Sequence, residues 1–202
     1  MTARVPFRLF LLAGLAAFAS NFTAHAQAQP VKTKAKLPET TVYLVRHAEK
    51  DTTANPADPA LSPVGQVRAQ ALSQLLARRR PAALFTTDTK RTRATLAPLV
   101  AATNVEPQVY DPKETTALAV RILKEYVGKT VVIVGHSNTL LPLIESLGGT
   151  PPVDKIADNE YDYLFTVHIS EGALPTVSVR GYGPERRASA DAKSGSQGGQ
   201  MR

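Results

Sequence analysis

The segment LVRHAEK, residues 44–50, ends an apolar run at a histidine that is flanked by polar groups. A second segment of this kind, IVGHSNT, spans residues 133–139. The residues before the two histidines, Thr41–Val45 and Thr130–Val134, are mostly β-branched and apolar, which is typical of strands that are buried on both faces. Each histidine is therefore predicted to follow directly after a buried strand.

The residues after the first strand predict a helix. Ser62 can cap it, and Pro63 stands at the first helical position, where its missing N–H group costs nothing. The helix is expected to continue to Arg78. Its apolar side chains recur at helical spacing at Val64, Val67, Ala71, Leu72, Leu75 and Leu76.

The remaining elements alternate between the two periodicities. They are a strand at Leu84–Phe85, a helix around Thr95–Val100, an extended segment near Val109–Tyr110, helices at Thr115–Tyr126 and Asn138–Leu147, and late strands at Tyr163–Ile169 and Thr176–Val179 that can pair as a hairpin. This order predicts an α/β fold, a three-layer sandwich with a mostly parallel central sheet. Because ligands of such sheets bind beyond the carboxyl ends of the strands, His47 and His136 are expected to share one edge.

The N-terminus has the layout of a secretory signal peptide. Arg4 and Arg8 form a basic start, Leu9–Ala19 is an uncharged apolar run, and AHA at residues 24–26 matches a cleavage site. The apolar run is too short to anchor the mature protein in a membrane. We therefore expect export to the periplasm or the medium. The predicted organisation is a signal peptide at 1–26, a linker at 27–40, one domain at 41–183 and a disordered tail at 184–202.

Composition narrows the class of protein. A hydrophobic content of 43% over 202 residues fits a soluble domain, and the absence of cysteine excludes disulfides, thiolate nucleophiles and cysteine-ligated metals. The net charge of +7 is spread along the chain, except for Arg78–Arg80 and the C-terminal tail, and no tryptophan or aromatic cluster accompanies it. We read Arg78–Arg80 as a solvated helix end, and we expect neither nucleic acid nor membrane as a partner of the mature chain.

Arginines surround both histidine segments. Arg46 directly precedes His47, and Arg91 and Arg93 follow the middle strand. Guanidinium groups bind phosphate oxygens in bidentate geometry, and a helix that begins after His136 would add backbone N–H donors. This set predicts phosphoryl transfer with a histidine nucleophile. A metal site is disfavoured, because it needs a third ligand and Arg46 would repel the cation.

Four ordered blocks resemble the histidine phosphatase superfamily, also called phosphoglycerate mutase-like. They are LVRHAEK at 44–50, DPALSPVGQVRAQALSQLL at 58–76, LFTTDTKRTRATLAPLV at 84–100 and VVIVGHSNTLLPLIESLGG at 131–149, with EYDYLFTVHI at 160–169 resembling the late strand of short bacterial members. The resemblance covers about Thr41 to Gly183 and implies a phosphoglycerate mutase-like fold.

The resemblance implies a role for each site residue. His47 would accept the phosphoryl group, and Arg46, Arg91 and His136 would complete the phosphate pocket. The alignment favours Arg91 over Arg93, although Thr-Thr-Asp stands where the family has Ser-Ser-Pro. For the general acid the chain offers Glu114, with Asp111 nearby, and some small members do without one. Glu114 reads equally well as a solvated residue in the first turn of a helix.

Other residues of these segments receive supporting roles. Glu49 is expected to support the loop after His47, and Ser137 and Asn138 are expected to cap the following helix rather than react. His168 alternates with the apolar side of a late strand and belongs to its polar face.

The sequence thus predicts an exported, metal-independent phosphatase that acts on a small phosphomonoester or a phosphoprotein through a phosphohistidine and needs no cofactor. A phosphoglycerate mutase-type phosphotransferase is the first alternative. A phosphate-binding module without activity is the second. Oligomeric state stays open.

Overall fold

The computed structural model describes residues 37–53 and 57–184. The predicted signal peptide, most of the linker and the tail beyond residue 184 lie outside these residues. The described strands are β1 (Glu39–Arg46), β2 (Ala83–Thr86), β3 (Pro107–Val109), β4 (Thr130–Gly135), β5 (Tyr163–Ser170) and β6 (Thr176–Gly181). The helices are α1 (Pro63–Leu76), α2 (Lys90–Thr103), α3 (Thr115–Glu125) and α4 (Leu140–Ser146), and a 3-10 turn at Ala77–Arg79 follows α1.

The strands form one six-stranded sheet in the order β3-β2-β4-β1-β5-β6. The pairs β1–β4, β2–β4 and β2–β3 are parallel, whereas β5 joins β1 antiparallel and forms the predicted hairpin with β6. The prediction of a mostly parallel sheet is confirmed. β1 and β4 are neighbours, and Arg46 lies opposite Gly135 in the register, so His47 and His136 leave the sheet side by side.

Helices cover both faces of the sheet, as a three-layer sandwich requires. One core lies between the sheet and α1 and α2, and it contains Leu72, Leu76, Leu96 and Leu99 against alternate residues of β1, β2 and β4. The other core lies on the opposite face, where α3 and α4 pack. β1, β2 and β4 are buried on both sides because they run between these two cores, which explains their continuous apolar runs.

The structure corrects the predicted buried face of α1. Val64 and Val67 are 41% and 57% exposed, whereas Arg68 is only 2% exposed. The Arg68 guanidinium donates from Nε and Nη2 to the carboxylate of Glu49 and from Nη1 to the carbonyl oxygen of Tyr182. The apolar periodicity predicted that position 68 faces solvent. This prediction is wrong because the Arg68 side chain is buried in an ion pair with Glu49.

Most predicted element boundaries differ from the observed ones by one or two residues, but α2 extends from Lys90 to Thr103, beyond the predicted Thr95–Val100. β1 begins at Glu39 rather than Thr41, and α1 ends at Leu76, where the 3-10 turn takes over. Ser62 caps α1 as predicted, since its hydroxyl accepts the N–H of Gly65. Gly128 follows α3 with a φ of +72°, the left-handed conformation expected after a helix end. None of the described helices combines the length and the apolar character needed to cross a membrane.

Candidate active site

His47 is the first residue after β1 and is 4% exposed. Its Nδ1 lies 2.8 Å from the carbonyl oxygen of Ala48, which can only accept, so Nδ1 carries the proton and Nε2 has a free lone pair. Burial lowers the pKa of His47 to about 3, and the positive charges of Arg46 and Arg91 act in the same direction. The imidazole is therefore neutral at physiological pH and able to attack an electrophile through Nε2.

His136 follows β4, and its ring centroid lies 5.5 Å from that of His47. Burial lowers the pKa of His136 to about 4, with smaller contributions from Arg91 and Arg46. Its Nε2 lies 2.8 Å from the hydroxyl oxygen of Thr87. The two imidazoles thus meet at the carboxyl edge of the sheet, where the strand pattern placed them.

Arg46 is held by the segment between α4 and β5. Its Nη1 lies 2.8 Å, 3.0 Å and 3.1 Å from the carbonyl oxygens of Ala157, Asp158 and Glu160. Its Cζ also lies 4.2 Å from the ring centroid of Tyr161. Burial lowers the pKa of Arg46, and its buried Nε has no hydrogen-bond partner among the described residues. A buried donor of this kind is satisfied by an anion that enters the site.

Arg91 is in the first turn of α2 and supplies a second cation. Its buried Nε is likewise without a hydrogen-bond partner in the described part of the chain, and its Nη1 lies 3.9 Å from the carboxylate of Asp58. Arg93 points elsewhere and pairs with the exposed carboxylate of Asp88 at 2.8 Å. The structure therefore brings Arg91, and not Arg93, to the histidines.

A cavity of about 450 Å³ opens beside these groups. Its lining residues are His47, Thr89, Arg91, Pro112, His136, Ser137, Asn138 and Thr139. Neither Glu114 nor Asp111 is among them. Glu114 is exposed and precedes α3 without capping it through its side chain, and the Asp111 carboxylate accepts the N–H of Lys113.

The predicted caps of the helix after His136 are wrong. α4 begins at Leu140, and the hydroxyl of Thr139 accepts the N–H of His136 at 3.1 Å. The N–H groups of Thr139 and Leu140 donate to the carbonyl oxygen of His136 rather than to the cavity. Ser137 and Asn138 line the cavity instead, because they lie in the turn before the helix.

Three contacts that sequence reasoning missed hold the site in place. Thr95 accepts the N–H of Ala48 at 2.9 Å, which fixes the chain just after His47. Thr87 follows β2 and contacts His136. Its position could have been predicted in the same way as those of the histidines, because ligands bind beyond the carboxyl ends of parallel strands. Tyr161 lies 5.9 Å from His47 between ring centroids, and the resemblance of EYDYLFTVHI to a late strand gave it no role in the site.

Within residues 37–53 and 57–184, no group of three histidine, aspartate or glutamate side chains is arranged to hold a metal ion. The charged lining residue of the cavity is instead Arg91, and Arg46 adds a second positive charge close to the two neutral imidazoles. That arrangement can bind a phosphoryl group and present Nε2 of His47 to it.

A family model described as the histidine phosphatase superfamily, branch 1, matches residues 42–113. No curated protein matches the chain. Solved structures with the same fold include a mycobacterial protein titled hydrolase 1, with a TM-score of 0.58 and 14% identity over 72% of this chain and 100% of that one.

Two further structures of this fold are phosphatases of named specificity. A mycobacterial glucosyl-3-phosphoglycerate phosphatase has a TM-score of 0.56 and 13% identity over 73% of this chain and 100% of its own. The protein histidine phosphatase SixA, solved with tungstate, has a TM-score of 0.54 and 16% identity over 71% of this chain and 96% of its own. The phosphoglycerate mutase-like fold is thereby confirmed.

Proposed function

We propose that the chain is a histidine phosphatase that hydrolyses phosphomonoesters or a phosphoprotein through a phosphohistidine at His47, without a metal ion. The match of residues 42–113 to the histidine phosphatase family model supports this proposal. The observation that carries this proposal is the meeting of His47 and His136, 5.5 Å apart, beside Arg46 and Arg91. Neutral imidazole and permanent guanidinium charge are what a histidine nucleophile needs to attack a dianion.

In the first step, Nε2 of His47 attacks phosphorus and the bond to the leaving oxygen breaks. The Nδ1–H group of His47 donates a hydrogen bond to the carbonyl oxygen of Ala48. This hydrogen bond fixes the tautomer and stabilises the positive charge that develops on the ring. Arg46 and Arg91 bind the equatorial oxygens of the phosphoryl group, and His136 approaches it from the neighbouring strand. In the second step, water attacks the phosphorus of phospho-His47 and releases inorganic phosphate.

The leaving oxygen takes up a proton in the first step. Glu114 remains our predicted donor, and Pro112, two residues before it, does line the cavity. The residues that line the cavity include no carboxylic acid, so cleavage of poor leaving groups depends on the segment before α3.

Two proteins of this fold act on different substrates, one on glucosyl-3-phosphoglycerate and the other on protein phosphohistidine. Because the identity of both proteins to this chain is low, neither substrate is assigned to this chain. Both, however, are cleaved at a phosphoryl group by proteins with this fold, which supports the proposed reaction class.

We also propose that the protein acts after export. The basic start at Arg4 and Arg8, the apolar run and the AHA sequence at residues 24–26 support this. Expression of the full chain should yield a protein whose N-terminal sequence begins at Gln27 in the periplasm or medium. An intact N-terminus in the cytoplasmic fraction would overturn the proposal.

The mechanism is tested by trapping the intermediate. Protein that starts at Gln27 is mixed with ³²P-labelled substrate and denatured in alkali, because phosphohistidine is lost in acid. We expect label on the wild type, none on His47→Asn and normal label on His168→Asn, a histidine of β5 beside Glu39. Turnover by His47→Asn at the wild-type rate would refute the mechanism.

Metal independence is checked on the same preparation. Prolonged chelation should leave the rate unchanged, and vanadate should inhibit, since it adopts the geometry of the phosphoryl transition state. Loss of activity on chelation with recovery on adding a divalent cation would indicate a metal site.

A further inference from the structure

A second cavity lies beside the candidate active site. It has a volume of about 420 Å³, and Ser137 and Asn138 line both cavities. The turn that follows His136 therefore borders both cavities. The second cavity is thus the neighbouring space next to the site where a phosphoryl group would meet His47.

The second cavity combines an apolar floor with charged sides. Leu141 and Pro142 of α4 and the buried Ile156 supply the apolar surface. Glu145, Asp154 and Lys155 complete the lining and are exposed. None of these three side chains forms an ion pair or hydrogen bond with another described residue, so their charges are available to a ligand.

The two cavities have opposite charge. The first is lined by the cation Arg91, and Arg46 lies next to His47, while the two histidines are neutral because burial depresses their pKa values. The second has two carboxylates and one ammonium group, a net charge of −1. A phosphate dianion fits the first, and a cation fits the second.

We propose that the second cavity binds the leaving group and selects one that carries a protonated amine, as in a phosphorylated amino alcohol. This inference rests on the proposed phosphatase function. The methylene groups next to the amine would contact Leu141, Pro142 and Ile156, and the ammonium group would pair with Glu145 or Asp154. A leaving group that carries a carboxylate would be repelled by the same two residues.

The test compares two series of substrates with matched chain lengths, ω-aminoalkyl phosphates and ω-hydroxyalkyl phosphates. We expect kcat/KM to favour the amine at its best chain length by about fivefold or more, as an ion pair near the surface allows. The preference should shrink as salt is raised, because exposed charges are screened. Equal kcat/KM for the two series would overturn the subsite.

Variants locate the effect. In Glu145→Gln/Asp154→Asn the ratio of the two kcat/KM values should fall to about one, and turnover of the hydroxyalkyl phosphate shows that the variant is folded. Glu171→Gln, in the turn between β5 and β6, removes an exposed carboxylate elsewhere and should keep the wild-type ratio. A double variant that retains the preference would refute the assignment of Glu145 and Asp154.

The two proposals fail in different ways. If the wild type releases no phosphate from either series or from p-nitrophenyl phosphate, the phosphatase function and the subsite are both wrong. If it cleaves all three without preferring the amine, only the subsite is wrong.

Discussion

Arg46 uses one nitrogen of its guanidinium group to bind three backbone carbonyl groups of the segment between α4 and β5. These bonds leave the buried Nε without a partner among the described residues. The side chain is thus anchored at one end of its planar group and open to an anion at the other. A lysine could not replace it, because a single ammonium group lacks this fixed division of donors.

Tyr161 is expected to keep Arg46 in that position. Its ring lies 4.2 Å from the guanidinium carbon, a cation–π contact in a partly dry site. Tyr161→Leu should lower kcat/KM for p-nitrophenyl phosphate by about tenfold, equivalent to about 1.4 kcal/mol. Tyr161→Phe keeps the ring and should retain most of the activity.

Steady-state kinetics of the two variants check this prediction. Equal losses in Tyr161→Phe and Tyr161→Leu would assign the effect to the hydroxyl group instead of the ring. Wild-type kinetics in Tyr161→Leu would show that the backbone carbonyls alone position Arg46.

Glu114 is tested by the dependence of its effect on the leaving group. A general acid matters most when the departing oxygen is basic, so Glu114→Gln should slow alkyl phosphate cleavage by about a hundredfold and hardly affect p-nitrophenyl phosphate. The matched variant is Asp111→Asn. Small and equal effects of Glu114→Gln on both substrates would contradict the assignment, and a selective effect of Asp111→Asn would transfer the role to Asp111.

At the scale of elements, α1 braces the loop after His47. Arg68 of α1 binds the Glu49 carboxylate at 2.7 Å and the carbonyl of Tyr182, so it joins the active-site loop to the end of β6. Gly65 of α1 packs directly against the backbone of Glu49, and an added Cβ would clash with its carbonyl oxygen. The helix can approach this closely only because that position lacks a side chain.

Gly65→Ala is therefore expected to destabilise the protein. Alanine favours a helix over glycine by about 1 kcal/mol, but the clash with backbone atoms forces α1 or the loop to move. We expect a net loss of about 2 kcal/mol in the free energy of unfolding, measured by urea denaturation, together with a lower kcat. The control is Val67→Ala, at an exposed position of the same helix, which should change stability by less than about 0.5 kcal/mol. Unchanged stability of Gly65→Ala would show that the loop yields without cost.

At the scale of the whole molecule, the site lies where both layers of helices and the sheet meet. Loops after β1, β2 and β4 contribute His47, Thr87 and His136 to one edge, and the segment before β5 closes around Arg46. Holding two neutral histidines beside two cations makes this edge sensitive to protonation. The stability of the fold should therefore depend on pH.

The free energy of unfolding should fall as the pH drops below about 6.5. His47 and His136 have folded-state pKa values of about 3 and about 4, below the usual 6.5, so the unfolded chain binds more protons in this window. Each histidine contributes a slope of up to about 1.4 kcal/mol per pH unit. Urea denaturation between pH 7 and pH 5, where carboxylates contribute little, measures it. His47→Gln/His136→Gln should show a much smaller slope, and an equal slope would contradict the depressed pKa values.

The sequence by itself determined the elements and the two histidines. Three local patterns were sufficient for this: the alternation of strands and helices, the apolar runs before His47 and His136, and Ser62-Pro63 at the start of α1. Such patterns predict secondary structure because they follow from the backbone geometry of helices and strands. The parallel arrangement then followed, because strands separated by helices pair in parallel and deliver their ends to one edge.

Only the tertiary structure decided the rest. The burial of Arg68, the carbonyls that hold Arg46 and the second cavity all depend on contacts between distant segments. Arg46, for example, binds Ala157 across a separation of 111 residues. Such contacts depend on the choice of side chains that fill the space between packed elements. No periodicity along the chain encodes that choice, since it depends on the positions of both partners at once.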